Sequence, residues 1–215
     1  MNNAYPLAAM LLAYLLGSLS FAVIVSAVMG LNDPRSYGSK NPGATNVLRS
    51  GNKVAAVATL LLDGLKGWLP VVLVKWFGAD HGLGDGTVAL VGLAAFLGHL
   101  YPVFFQFKGG KGVATAAGVL LGVSGFLGLA TLMTWLIVAY FSRYSSLAAL
   151  ASAVFAPFFY LLGDRVVWYV DKGILVVLIA ISVLLVYRHR QNMTKLIKGT
   201  ETKLGVSKTT GSSGK

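Results

Sequence analysis

An all-α polytopic integral membrane protein is the fold class this chain predicts, with about seven transmembrane helices, the N-terminus outside and the C-terminus cytoplasmic. Three observations predict it. Continuous apolar runs cover residues 7–29, 54–77, 86–107, 113–141, 145–163 and 173–187, and about 20 helical residues cross a bilayer core of about 30 Å. The runs are continuous rather than alternating, which argues against a sheet barrel. Basic residues concentrate in every second break between the runs. Composition agrees: 56% of the 215 residues are hydrophobic and the mean hydropathy is +0.73, well above soluble usage.

The elements follow in order. The run 7–29 has no basic residue before it and no small-residue cleavage site, so it reads as the first membrane helix and not as a secretory signal. A dense polar loop comes next, Gly38-Ser39-Lys40-Asn41-Pro42-Gly43-Ala44-Thr45-Asn46 with Arg49. Pro42 fixes its own φ and holds Asn41 extended, while Gly43 offers a freedom few residues have. Turn formers in such a run, in a loop of roughly 20 residues, argue for a built site and against disorder.

The run 54–77 contains Asp63 and Lys66, three apart. Ionisable groups inside a membrane are costly; they pair, or they face a protein interior or a wet cavity. The run 86–107 includes Gly98-His99 and leads into Phe107-Lys108-Gly109-Gly110-Lys111-Gly112-Val113-Ala114-Thr115. Glycines and a lysine at a helix start make an anion nest, with outward amides, an electropositive helix end and a point charge. The GxxxxGK[ST] spacing is missing, so a nucleotide loop finds little support.

The run 113–141 is too long for one comfortable crossing and holds Gly118, Gly122, Gly125 and Gly128. Divided near Ser124, it yields a first piece of about a dozen residues, roughly 16–18 Å long. The last run leads to a third cluster, Arg188-His189-Arg190-Gln191-Asn192, then Lys195, Gly199, Thr200, Glu201 and Lys203. If the last helix continues past Arg188, His189 and Asn192 share a face and could orient a hydroxyl and move its proton. Residues 1–205 read as a single membrane-embedded domain, and 206–215, rich in Ser, Thr, Gly and Lys, as a flexible polar tail.

Charge decides between six segments and seven. With seven alternating from an outer N-terminus, the cytoplasmic pieces are 30–53, 108–112, 142–146 and 188–215. They hold fourteen of the 18 basic residues, from Arg35 and Lys40 to Lys208 and Lys215, against only Asp33 and Glu201. That is the positive-inside pattern. Six segments would strand either the first polar loop or the basic tail.

The net charge of +11 therefore reflects orientation and attraction to anionic membrane lipids, and nucleic acid is not an expected partner. Zero cysteines exclude disulfides, thiolate metal sites and a cysteine nucleophile. The three histidines show no metal-ligand spacing, so neither metal nor cofactor is expected.

Taken together, Ser39-x-Asn41-Pro42-Gly43-Ala44-Thr45-Asn46 with Arg49, Gly98-His99 with Phe107-Lys108-Gly109-Gly110-Lys111-Gly112, and His189-x-x-Asn192 with Gly199-Thr200-Glu201 resemble the three motifs of the bacterial acyl-phosphate-dependent glycerol-3-phosphate acyltransferases, the PlsY-type family. The resemblance runs from Gly17-Ser18 to Lys203 and takes in Leu62-Asp63 and Lys66-Gly67. Two positions depart from it: Met193 stands where isoleucine is usual, and Lys195 where arginine is usual. Lysine lacks the planar fork, which weakens a bidentate phosphate role at 195.

The resemblance implies transfer of the acyl group of a fatty acyl phosphate to the 1-hydroxyl of sn-glycerol 3-phosphate. The products are 1-acylglycerol 3-phosphate (lysophosphatidate) and phosphate, in the first step of bacterial phospholipid synthesis. It implies a multi-pass protein of the bacterial cytoplasmic (inner) membrane with a cytoplasmic active face, coupled functionally to the enzyme that makes acyl phosphate. A mixed anhydride is already activated, so Ser39 is assigned to hydrogen bonding and not to an acyl-enzyme. Arg49 and Lys111, with the amides of Gly109 and Gly110, are assigned to phosphate. His189 is assigned to the glycerol moiety and its hydroxyl proton, with substrate phosphate as the competing acceptor. Asn41, Thr45, Asn46, His99 and Asn192 complete the expected site, with Lys108 and Lys66 as secondary candidates. None of His81, His99 or His189 has an aspartate five residues on, which excludes the His-x4-Asp acyltransferases. A rival from another class is a membrane transporter of a phosphorylated or anionic metabolite, which the broken segment near Ser124 would suit. All three clusters lying on one face speaks against it.

Overall fold

The computed structural model describes residues 4–205, and the expected flexible tail 206–215 lies outside the described residues. The described residues are helical, with no β-strand beyond a single bridge between Asp164 and Trp168. Helix α1 (Ala4–Gly17) bends by 45° into α2 (Phe21–Val28). The bend sits where the Ser18 hydroxyl donates to Tyr14 O at 2.8 Å, the back-bonding that opens an apolar helix. The run 7–29 is therefore two helices at an angle, which its unbroken hydropathy does not reveal.

The polar loop carries a single helical turn, α3 (Ala44–Val47), and leads into α4 (Lys53–Phe77), capped by Asn52, whose side chain accepts from Ala55 N at 2.9 Å. Helix α5 (Asp85–Leu100) stops seven residues short of the apolar run's end, because Tyr101–Pro102 turns the chain into an irregular loop. Helices α6 (Val113–Val123) and α7 (Gly125–Ser142) divide at Ser124, as expected. Ser124 is extended at φ −155° and ends one helix while capping the next. Helix α8 (Ser145–Leu162), α9 (Lys172–Arg188) and the short polar α10 (Arg190–Ile197) complete the chain, the last two meeting at 55°.

Close contacts fix the order in space. Gly67 and Gly118 let α4 and α6 touch backbone to backbone, since a Cβ at either would overlap Thr115 O or Gly64 O. The two run parallel, with Lys75 Nζ donating to Val123 O at 2.6 Å near their far ends. Tyr5 meets His81 at one end of the α1–α5 pair, and Tyr14 Oη donates to Tyr101 O at the other. Ser152 Oγ joins α8 to Thr131 O of α7 at 3.3 Å, and Asp171 N joins the start of α9 to Tyr160 Oη at 3.0 Å. Successive long helices thus reverse direction, and the loops 30–52, 101–112 and 143–144 gather at one end with residues 189–205.

The core lies where α4, α5, α6, α7 and α9 meet, around Val71, Phe96, Val119, Leu127 and Leu178. Outside it, large apolar side chains such as Leu61, Tyr140, Phe141, Leu162 and Val183 are exposed. A surface of that kind belongs in lipid. Among the described residues, four helices are long and apolar enough to cross a membrane, or up to six when each bent pair counts as one span. Helix α6, with 11 residues, is only about 16 Å long.

Candidate active site

The loop 38–49 is organised by one side chain. Asn46, 2% exposed, donates to Pro34 O at 2.6 Å and Tyr37 O at 3.2 Å, and it accepts from Ser39 N at 2.9 Å and Arg49 Nη1 at 3.4 Å. Its amide is engaged within the loop, so it shapes the wall that carries Ser39, Asn41, Thr45 and Arg49. All five line a cavity of about 290 Å³ together with His99, Lys111, His189 and Asn192. Nine of the thirteen residues named from sequence therefore converge on one space, from three separate segments.

At its polar end the cavity is bridged by a chain of bonds. Lys111 Nζ donates to Asn192 Oδ1, Asn192 Nδ2 donates to Glu201 Oε1 at 2.8 Å, and Ser146 Oγ donates to the same carboxylate oxygen at 3.0 Å. Glu201 and Ser146 were not among the assigned residues. Glu201 had a signal, its place in the third polar cluster; Ser146 is one serine in an apolar run and had none. Away from the mouth the lining becomes apolar: Leu120 of α6, Trp135 of α7, Ala149 and Ala153 of α8, and Leu178 and Ile181 of α9. One end suits a phosphate and the other an acyl chain.

Lys111 is largely buried among cations, and desolvation pushes its ammonium down to about 8; Lys195, Arg49 and Arg188 add to this while Glu201 opposes it. His189, just past the end of α9, is 3% exposed. Its Nδ1 lies 2.8 Å from Leu185 O, which assigns the proton to Nδ1 and leaves Nε2 as an acceptor. Burial first, and Lys111 second, push its pKa down to about 4. Desolvation, more than the cationic surround, sets this direction.

The glycine amides are arranged differently from the expected cradle. Gly110 N donates to His99 O at 3.2 Å, and Arg188 Nη2 donates to both Gly109 O and Gly110 O at 2.8 Å. The Gly110 amide is thus unavailable to a phosphate. These glycines serve close approach instead: a Cβ on Gly109 would meet His99 O, and one on Gly110 the His99 ring. Helix α6 keeps an electropositive start at the cavity, where Gly112, Val113 and Ala114 form part of the wall. Arg188, which had no assigned role, ties the glycine loop to the end of α9.

Besides Gly110, three candidates lie apart. Lys66 is 2% exposed; its ammonium is held by Asp63 Oδ1 at 2.8 Å and Leu19 O at 2.7 Å and does not reach the cavity. Asp63 does reach it, beside His99, whose Nδ1 lies 3.7 Å away. Lys108 and Gly109 border a separate cavity on the other side of the loop wall. Among the described residues, no group of three or more His, Cys, Asp or Glu side chains forms a metal cluster.

The profile of the family described as glycerol-3-phosphate acyltransferase matches residues 7–199. A glycerol-3-phosphate acyltransferase of Albidiferax ferrireducens is 68% identical over 205 residues, 95% of this chain and 92% of that protein. One from Burkholderia pseudomallei (strain K96243) is 64% identical over 201 residues, 93% and 95% of the two chains. Among solved structures, PlsY (YgiH), an integral membrane glycerol 3-phosphate acyltransferase, is similar in its glycerol 3-phosphate form, with a TM-score of 0.84 and 40% identity over 94% of this chain and 96% of that one. Its lysophosphatidic acid form gives a TM-score of 0.83 at 39% identity over the same shares.

Proposed function

The chain belongs to the glycerol-3-phosphate acyltransferase family, and from that premise we propose that it transfers the acyl group of a fatty acyl phosphate to the 1-hydroxyl of sn-glycerol 3-phosphate. The products are lysophosphatidate and phosphate, and the reaction opens bacterial phospholipid synthesis. One observation carries the reading: three polar segments meet at a mouth that holds Arg49 and Lys111, with Lys195 and Arg188 near it, and that continues into an apolar cavity between helices. An anionic acceptor from water and a donor with a lipid tail fit that shape together. The similar PlsY structures, in glycerol 3-phosphate and lysophosphatidic acid forms, support an acceptor and product of this class.

The hydroxyl oxygen attacks the carbonyl carbon, a C–O ester bond forms, and the bond from carbonyl carbon to the bridging phosphate oxygen breaks with its electron pair. Arg49 and Lys111 hold phosphate oxygens and stabilise the charge that grows on the departing group. Ser39 and the start of α6 hydrogen-bond a phosphate or carbonyl oxygen. Asn192 orients the Lys111 ammonium. His189 accepts a hydrogen bond from the hydroxyl through Nε2 and aims it. Of the two acceptors named for the proton, the substrate phosphate is the one this reading adopts: burial holds the imidazole down at about 4, whereas a phosphate monoester has its second pKa near 6. The proton leaves with the phosphate.

The same reading places seven crossings in the bacterial cytoplasmic membrane, N-terminus outside, with the site open to the cytoplasm and to acyl phosphate delivered by the enzyme that makes it. The charge asymmetry between the two ends supports this orientation. The test is phosphate release by purified protein in detergent. Release from acyl phosphate should require glycerol 3-phosphate and yield lysophosphatidate without a second compartment. Equal turnover with an acyl thioester in place of acyl phosphate would remove the donor assignment.

A further inference from the structure

The wall that carries Ser39 and Asn41 has a second face. Ser39, Asn41 and Gly43 line the inner cavity, while the alternate residues Lys40 and Pro42 turn outward. The glycine loop divides the same way, with Lys111 and Gly112 inside and Lys108 and Gly109 outside. The outward faces enclose a cavity of about 380 Å³, completed by Arg35 and Gln106.

Its charge is one-sided. Lys40 and Lys108 are exposed, and among the described residues neither side chain has a hydrogen bond or an ion pair. Arg35 is anchored by Asp33 at 2.6 Å and lies 5.8 Å over the Phe105 ring, which holds its guanidinium at the rim. Among the described residues no carboxylate lines the cavity, and Asp33, the acid bound to Arg35, is already paired. The backbone here is also unusual. Lys40, Gln106 and Phe107 adopt positive φ of 56°, 55° and 58°, three of the five such non-glycine residues among those described. Bulky residues in the left-handed region are uncommon and gather at ligand clamps and functional loops.

We propose that this outer cavity is a second phosphate site: Lys40, Lys108 and Arg35 bind a phosphate dianion, receiving glycerol 3-phosphate before it enters and inorganic phosphate after it leaves. The site lies directly behind the loops that hold phosphate within, so passage needs movement of one thin wall. Cations that concentrate an anion at the entrance raise its rate of capture. The receiving role rests on the acyl-transfer reading above; the existence of the site does not.

The experiment is equilibrium binding of radiolabelled inorganic phosphate to the full chain in detergent, with the double variant Lys40→Gln, Lys108→Gln as comparison. The wild type should bind two phosphates per chain and the variant one, with an unchanged thermal melt showing that the variant folds. In turnover, the variant should raise KM for glycerol 3-phosphate on the order of 10-fold, more than it lowers kcat. One phosphate per wild-type chain would overturn the site even if KM rose, since distant steering alone then explains the kinetics. Two phosphates on the variant would overturn it as well. Lipid headgroups offer the same phosphate oxygens, so binding is repeated in nanodiscs with and without phosphatidylglycerol. Loss of the second phosphate only with the anionic lipid would assign the cavity to headgroups and end the receiving role. A chain that binds two phosphates but transfers no acyl group would keep the site and discard the reaction.

Discussion

Lys111 holds its ammonium where burial has already weakened it, and this makes its charge visible in kinetics. Its pKa of about 8 leaves it cationic below that pH and neutral above it. Phosphate binding therefore weakens as pH rises through about 8, and kcat/KM, which reports the free enzyme, should fall there. Lys111→Arg, charged at all accessible pH, should lose that alkaline limb. Lys111→Ala should lower kcat/KM by about 10²-fold or more. A limb that survives in Lys111→Arg would assign the titration to another group. For His189 the expectation is the reverse. His189→Gln keeps a hydrogen-bond acceptor, so it should lose about 10-fold through poorer aim, with its acidic limb intact. A general base would contribute about 10²–10⁴-fold and take the limb with it. Both profiles come from initial rates across pH in detergent.

At the scale of elements, the pairing of α4 with α6 sets the position of everything on the glycine loop. Helix α6 is only 11 residues long, so it is held by contact area and not by length. That contact depends on glycine: a Cβ at Gly118 would overlap Gly64 O, a backbone atom that cannot rotate away. Gly118→Ala should therefore destabilise by about 1–3 kcal/mol and lower Tm in detergent. Gly125→Ala is the control, since nothing lies within 4 Å of the added carbon; it should leave Tm unchanged. Equal Tm values for the two variants would mean that α6 shifts freely against α4. The break at Ser124 was legible from the length of the apolar run and its glycines. The bend after Gly17 was not, because Ser18 satisfies its hydroxyl locally without interrupting hydropathy. The end of α5 at Leu100 was missed because Val103, Phe104 and Phe105 are apolar but belong to a loop.

For the whole molecule, the ends of the bundle differ in charge. The end that carries the site has Arg35, Lys40, Arg49, Lys108, Lys111, Arg188, Arg190 and Lys195. The other has Asp80, Asp85, Asp164 and Asp171, with Lys75, Arg165 and Lys172. The chain has no cysteine, so single cysteines report topology cleanly. Placed at Lys40, Lys111 and Lys198, they should be shielded from an impermeant thiol reagent in intact cells; at Asp80 and Asp171 they should be labelled. Labelling at Lys111 without labelling at Lys198 would mean that the count of seven crossings is wrong.

The amino-acid sequence alone determined the class of the fold, the three polar segments and nine of the residues that meet in the cavity. It could do so because hydropathy is local, because turn residues constrain their own backbone, and because charge and amide chemistry belong to side-chain type. Tertiary structure alone decided which cations face the cavity. Lys66 and Lys111 are both lysines beside glycines; packing against Leu19 and Asp63 takes the first out of reach, and the bond to Asn192 brings the second in. It also decided the link through Glu201 and Ser146, the Arg188 clamp and the division of one loop between two cavities. These join residues up to 81 positions apart, and no local pattern records which partner a buried polar group will find when helices pack.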